Sequence, residues 1–174
     1  MLSTEECKQI TEEIFKEHSN ETYLYRNLEL SDYDKGYPEL LLQLTTSPLT
    51  REAFMRRFNE LLKYQDLIQT IVCEDKESGK MVGTVRFFVE PKYIHNAGSV
   101  LHFEDLVVDS AYRHHGIGST LVKIVAKISE KRGCYKCLAD SRKELLPFYE
   151  KAAGFKPKEI SIAVYNKVDN WITN

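Results

Sequence analysis

Apolar residues recur along this chain with two different periods, and the switches between them mark out its elements. In "MLSTEECKQITEEIFKEH" (1–18) apolar and charged positions recur at helical spacing, which predicts an amphipathic helix. "TYLYRNLEL" (22–30) alternates from side to side as a strand does. "SDYDKGYPELLLQLTT" (31–46) predicts a helix with Ser31 and Asp32 as N-cap candidates. "SPLTREAFMRRFNELLKY" (47–64) predicts another, with Ser47 as N-cap, Pro48 as first helical residue, and Phe54, Phe58, Leu61 and Leu62 on one face. Two β-rich runs follow, "LIQTIVCED" (67–75) and "KMVGTVRFFVE" (80–90), joined by the hairpin signal "KESGK". "VLHFEDLVV" (100–108) is a further strand. "STLVKIVAKISEKRG" (119–133) returns to the helical period, with Leu121, Ile124, Val125 and Ile128 on one face and Gly133 as its stop. "CYKCLAD" (134–140) reads as a strand, "RKELLPFYEKAAG" (142–154) as a short helix and "EISIAVYNK" (159–167) as a last strand.

This order predicts an α+β domain in three layers, an α/β arrangement whose mixed central sheet is flanked by helices. The helix near 116–132 would cross over between two parallel strands. At 174 residues, with neither internal repeat nor long linker, one domain is expected.

Composition narrows the partners. Lys plus Arg (24) nearly balance Asp plus Glu (26), a formal charge of −2, so there is no basic field to hold a nucleic-acid backbone. The N-terminus lacks the basic head and apolar stretch of a signal peptide, and no apolar run approaches a bilayer's thickness, so a cytoplasmic protein without membrane insertion is expected. Cys7, Cys73, Cys134 and Cys137 show no framework spacing and should be reduced thiols. In a strand, residues three apart face opposite sides, so Cys134 and Cys137 make a poor chelating pair.

The densest chemistry lies in "AYRHHGIGST" (111–120), where a strand hands over to a helix. A helix N-terminus leaves its first amides without internal partners, and with the helix dipole they form an anion site. Gly116 and Gly118 bare that backbone, and Arg113 adds charge at the mouth. The spacing is shorter than a nucleoside-triphosphate loop and lacks its Lys-Ser/Thr end. His114 and His115 are adjacent, so their rings diverge; no metal is expected there.

"RHHGIG" after "FEDLVVD" resembles the acetyl-CoA pyrophosphate loop of the GNAT acyltransferase superfamily, Arg/Gln-x-x-Gly-x-Gly/Ala, and "PFYEKAAGF" resembles its later segment, in which a helix Tyr lies beside the thioester sulfur. Within it, "EPKYIHNAGSVLHFEDLVVD", "GCYK" with the Asp140 after it, and "QLTTSPLTREAFMRRF" are similar to the eukaryotic glucosamine-6-phosphate N-acetyltransferases, from about residue 26 to about residue 167.

That resemblance implies a GNAT fold spanning 1–174, with 1–22 as an N-terminal helical extension, and acetyl-CoA as cosubstrate without metal. It implies that the backbone at Leu106, Val107 and Val108, on a strand splaying from its neighbour, binds the pantetheine arm and thioester. Arg113, His114, His115, Gly116, Ile117 and Gly118 would cradle the pyrophosphate. Thr45, Lys92, Tyr93, Ile94, His95, Glu104, Asp105, Leu106, Tyr135 and Lys136 would hold the sugar phosphate, with Asp140 and Tyr149 flanking the reacting centre. Glu104, through water, is one candidate base, the backbone carbonyl of Asp140 an acceptor to orient the amine, and Tyr149 a donor to the leaving thiolate. A homodimer is implied, with the last strand at its interface.

Read without the resemblance, Glu104 and Asp105 are an edge-strand charge pair of which one should face inward, and Tyr149 is a core aromatic. Two positions depart from the family: Leu145 stands where an Asn usually helps hold the cofactor, and Ala163 where a basic residue usually reaches the sugar phosphate from the partner subunit. A GNAT enzyme acting on a polyamine or protein amine, or an acyl-CoA-binding module without turnover, therefore remain the alternatives at this stage.

Overall fold

The computed structural model describes residues 3–158 and 161–162. The chain begins with helix α1 (Thr4–His18), whose Ser3 hydroxyl accepts from Glu6 N–H while Glu6 reaches back to Ser3 N–H, a reciprocal cap. After strand β1 (Tyr23–Asn27) come a 3₁₀ turn (Leu30–Lys35) and the short helix α2 (Tyr37–Leu41), then α3 (Arg51–Leu61). Strands β2 (Ile68–Asp75) and β3 (Met81–Pro91) form the expected hairpin, and β4 (Ser99–Val108) follows. Helix α4 (Ile117–Lys131), β5 (Lys136–Leu138) and α5 (Leu146–Ala153) close the described fold. The "EISIAVYNK" segment, with Ala163 and Lys167, lies almost wholly outside the described residues.

The five strands pair in chain order, antiparallel from β1 to β4 and parallel between β4 and β5, so the sheet is mixed and α4 is the crossover. One face carries α1, α4 and α5, where Ile14, Phe15, Phe87, Leu101, Leu121 and Ile128 share one core cluster. On the other face, Tyr37, Leu40 and Phe54 from α2 and α3 pack on Val72, Met81 and Val107. This is the three-layer arrangement that the two periodicities require.

Local detail differs from the sequence reading between β1 and α3. Gly36 adopts φ 86°, which divides the expected 31–46 helix into a 3₁₀ turn and α2. Asp32 is therefore not an N-cap: fully buried, it accepts Glu29 N–H at 2.8 Å and both ends of the Arg26 guanidinium at 2.7 Å. Helix α3 starts three residues later than expected, with Thr50 rather than Ser47 as its cap, the Thr50 hydroxyl accepting from Ala53 N–H at 3.2 Å.

Candidate active site

The site begins where two strands part. Parallel β5 follows β4 over only Val100–His102 against Lys136–Leu138, and beyond that point, among the described residues, β4 keeps β3 as its one partner. The edge of β4 from Phe103 to Val108 thus faces a wedge rather than a neighbour. Asp109 N–H donates to Val82 O at 2.9 Å, so by the alternation of an antiparallel ladder Val107 also turns its amide toward β3, and Val108 turns into the wedge. Of the three backbones expected there, Leu106 and Val108 face the opening, while Val107 is committed to the sheet.

A bulge sits in the same strand. Thr84 pairs with Val107 and Arg86 with Glu104, leaving two residues of β4 opposite the single Val85, and Asp105 takes φ 54°. The extra residue breaks side-to-side alternation. Glu104 and Asp105 are consequently both exposed, which corrects the expectation that one would point inward. Arg86, directly across the ladder, sets Nη1 3.8 Å from Glu104 Oε1.

At the far end of the wedge is the start of α4. Gly116 precedes it at φ 82°, and a Cβ there would meet nothing within 4 Å. The first intrahelical bond runs from Thr120 N–H to Gly116 O at 2.9 Å, so the amides of Ile117, Gly118 and Ser119 precede the ladder. Helices α1 and α3 cap such amides with Ser3 and Thr50, whereas α4 has no side-chain cap. These are the groups that fit a pyrophosphate. At Gly118 a Cβ would lie in ordinary contact, 3.4 Å from Val108 and 3.5 Å from Phe148, so the protein itself leaves room for a methyl group there. We therefore expect Gly118→Ala to melt like the wild type and keep its acetyl-CoA KM. Gly116→Ala, forced into left-handed backbone, should lose about 1 kcal/mol and raise that KM; equal melting of the two variants would contradict the assignment.

The loop is tied down on every side. Tyr112 OH donates to Asp75 at 3.0 Å, and Asp75 also holds the hairpin turn through Ser78 Oγ. Gln43 bridges Asp109 and Ser110 N–H at 3.1 and 2.9 Å, seating the turn that carries exposed Thr45 beside the end of β4. Arg113, itself exposed, donates through Nε to Val108 O at 3.3 Å. His114 adopts φ 68°, and His115 turns to Tyr23 OH at 3.4 Å. Gln43, Tyr112 and Tyr23 carried no motif signal.

At the fork lies Tyr149, almost buried, with ring centroids 6.0 Å from Phe103, 5.0 Å from Phe148 and 6.3 Å from Phe155. Burial pushes its phenol above the usual range. Asp140 stands exposed just past β5, its Oδ2 accepting from Ser161 Oγ at 3.4 Å. An exposed leucine occupies position 145.

The acceptor motifs "KYIH" and "GCYK" meet in space. The rings of His95 and Tyr135 lie 4.3 Å apart, and Gly98 packs so close that a Cβ would come within 3.0 Å of the Tyr135 ring. His95, Asn96 and Ala97 wind left-handed at φ 52°, 56° and 57°, a turn costing about 1–2 kcal/mol per residue that this packing holds in place. Tyr93 and Ile94 project into solvent from it. Lys92 is paired with Glu90, which also meets His102 Nε2 at 2.9 Å. Lys136 starts β5, opposite Val100.

Cys134 precedes β5 rather than lying in it, so strand alternation does not separate it from Cys137, and both thiols reach the Ser129 hydroxyl. Burial pushes Cys137 and Cys73 up to about 12. Among the described residues no three His, Cys, Asp or Glu side chains gather as for a metal.

Comparison with known proteins converges on one group. Residues 13–155 match the model of the acetyltransferase (GNAT) family. The chain is 40% identical over 146 residues to glucosamine 6-phosphate N-acetyltransferase of Arabidopsis thaliana, covering 83% of this chain and 97% of that protein. It is 37% identical over 141 residues to glucosamine 6-phosphate N-acetyltransferase 1 of Dictyostelium discoideum, covering 81% and 89%. The crystal structure of the Arabidopsis thaliana enzyme superposes with a TM-score of 0.80 at 39% identity, over 84% of this chain and all of that one.

Proposed function

The chain belongs to the acetyltransferase (GNAT) family, and from that premise we propose that it is a glucosamine 6-phosphate N-acetyltransferase, moving the acetyl group of acetyl-CoA onto the sugar's 2-amine. The observation that carries the reading is the fork between β4 and β5, with the uncapped start of α4 at one end and Tyr149 at the other. Its support for the acceptor is the identity, over most of the chain, to proteins of that activity.

Acetyl-CoA supplies the acyl group as a thioester, already reactive toward a neutral amine. The α4 amides and Arg113 hold the pyrophosphate end, and the open edge of β4 aligns the arm. The Val108 amide, turned into the wedge, donates to the thioester oxygen as charge develops on it, a contribution of roughly 3 kcal/mol for a preorganised donor. Glu104 takes the ammonium proton through water, and the Asp140 carbonyl orients the amine. The amine then attacks directly, in a ternary complex. A thiol nucleophile is not called for, since Cys73 and Cys137 are held protonated by burial. Tyr149 donates to the departing sulfur as the C–S bond breaks; the proton that the attacking nitrogen sheds on collapse offsets the one the thiolate gains, and the proton Glu104 took from the ammonium passes to solvent. Lys136 and His95 would meet the acceptor phosphate, and Lys92 would share itself with Glu90. The family resemblance also carries a homodimer as the active assembly.

Incubation with acetyl-CoA and glucosamine 6-phosphate should give a sugar phosphate heavier by one acetyl group, placed on the 2-amine by NMR, with no acetylated protein by intact mass when the sugar is withheld. A stable acetyl-protein competent to pass its acetyl to the sugar would overturn direct attack; recovery of unchanged sugar phosphate would overturn the acceptor.

A further inference from the structure

Lys92, Lys136 and Glu104 surround a histidine that the transfer steps leave idle. His102 lies two residues before Glu104 on β4 and on the same face of the sheet, since the bulge comes only after Glu104. Register sets Phe88 of β3 on one side of it and Leu138 of β5 on the other. The row before it holds Glu90, Val100 and Lys136, and the row after it holds Arg86 and Glu104. Lys92 turns back to Glu90 from just past the end of β3. His102 thus stands between the cations offered to the acceptor phosphate and the carboxylate assigned to the amine proton.

The ring is oriented from two sides. It stacks on Phe88 in parallel planes, with centroids 4.7 Å apart, and Nε2 lies 2.9 Å from Glu90 Oε2. Lys92 holds the other Glu90 oxygen; that hydrogen bond first, and the one from His102 with it, keep the Glu90 carboxyl below its usual range against the opposing effect of burial. A carboxylate only accepts, so the neutral imidazole carries its proton on Nε2 and leaves Nδ1 as an acceptor. The two ring nitrogens point nearly opposite ways. With Nε2 on Glu90, which pairs with Val100, Nδ1 turns toward the Glu104 end of the strand. Two residues of strand span about 6.6 Å, a gap that one water bridges. The His102 side chain is 29% exposed, which leaves a way out for a proton. Imidazole, of reference pKa about 6.5, is also a better-matched base near neutral pH than a glutamate of about 4.3.

We propose that His102 is a further proton-transfer residue of the site, receiving through water shared with Glu104 the proton that leaves the acceptor ammonium and releasing it to solvent. This rests on the acetyl-transfer reading. An ammonium N–H bond breaks as its proton passes to the water that Glu104 orients, and that water gives a proton to Nδ1. The imidazolium formed is matched by the Glu90 carboxylate, as in other carboxylate–histidine pairs, and then yields the proton to bulk water. Glu90 is a positioning residue. The charged groups around the ring are Arg86, Glu90 and Lys92 from the β3 side, Glu104 and Asp105 from β4, and Lys136 from β5.

The test is acceptor kinetics of the full chain with acetyl-CoA and glucosamine 6-phosphate, from about pH 6 to about pH 9. His102→Phe, which keeps the stack on Phe88, should lower kcat about 10²-fold near neutral pH and leave the acceptor KM within about twofold. The loss should shrink as pH rises, because the amine then arrives neutral and needs no base. His102→Ala should lose as much and regain about tenfold when imidazole is added, since the vacated space admits it. Glu90→Gln, which keeps a partner for the ring without the charge, should fall between wild type and His102→Phe in kcat. Melting curves confirm that the variants fold. Unchanged kcat in His102→Phe, a loss equal at every pH, a change confined to the acceptor KM, or no recovery of His102→Ala with imidazole overturns the proposal while wild-type turnover upholds transfer. A wild type without turnover on any amine overturns the transfer reading and this proposal with it, so the wild type tells the two failures apart.

Discussion

Tyr149→Phe should lower kcat by about 10²-fold, the lower end of what a positioned acid contributes, while the acetyl-CoA KM and the melting temperature stay close to wild type. The ring is held among Phe103, Phe148 and Phe155, so phenylalanine fills the same space and only the hydroxyl is lost. That hydroxyl is placed at the fork, where the sulfur of the cosubstrate would depart. Burial raises its pKa, so the phenol remains a donor through the neutral range and beyond the ordinary value of about 10. Steady-state thiol release at several pH values checks this. Unchanged turnover in the variant would remove Tyr149 from the chemistry and return it to the core, which its burial alone would also explain.

The second large effect is on stability. Arg26→Met should cost about 3–5 kcal/mol in chemical denaturation, because it strands the fully buried Asp32 carboxylate, and Arg26→Met with Asp32→Leu should recover most of that loss. Arg26 also pairs with Glu74, and Lys35 approaches Asp32 at 3.5 Å, so the network pins β1 to the segment that leads into α2 and Gln43. Burial works to raise the Asp32 pKa, yet the Arg26 hydrogen bonds overcome it and the carboxyl titrates below its usual range. A depressed folded value means that the stabilisation is complete above the unfolded pKa of about 4 and is lost as pH falls through the folded one. The wild type should therefore weaken steeply in acid below that point, and Arg26→Met much less. Parallel acid profiles for the two proteins would contradict this account.

What the sequence revealed follows from which forces are local. The period of α4, with Ile117, Leu121, Ile124, Val125 and Ile128 buried along it, and the hairpin around "KESGK" are set by neighbours a few residues apart, and both are where periodicity put them. The start of α3 was less legible, since Ser47 with Pro48 and Thr50 with Glu52 are both sound local starts and only packing of Phe54 on Tyr33 and Tyr37 selects between them. The bulge at Asp105 leaves no trace in hydrophobic alternation, because "FEDLVV" reads as an ordinary strand; it arises from ladder register with β3. Arg26 and Arg86 were invisible for the same reason. A lone arginine in a strand announces nothing until the fold sets it beside Asp32 or opposite Glu104. The loop and Tyr149 stand out in the sequence because family motifs point to them, and the fork between β4 and β5 is legible only in the fold.

The acceptor is tested most directly by the initial rate of thiol release from acetyl-CoA with glucosamine 6-phosphate, compared with glucosamine, spermidine and a peptide amine under the same conditions. Turnover with the phosphorylated sugar should be rapid and saturable, with a loss of at least about 10²-fold when its phosphate is removed, as expected for losing a charge-assisted contact of about 3 kcal/mol. Faster turnover with spermidine or the peptide than with glucosamine 6-phosphate would keep the acetyl-CoA site and contradict the acceptor.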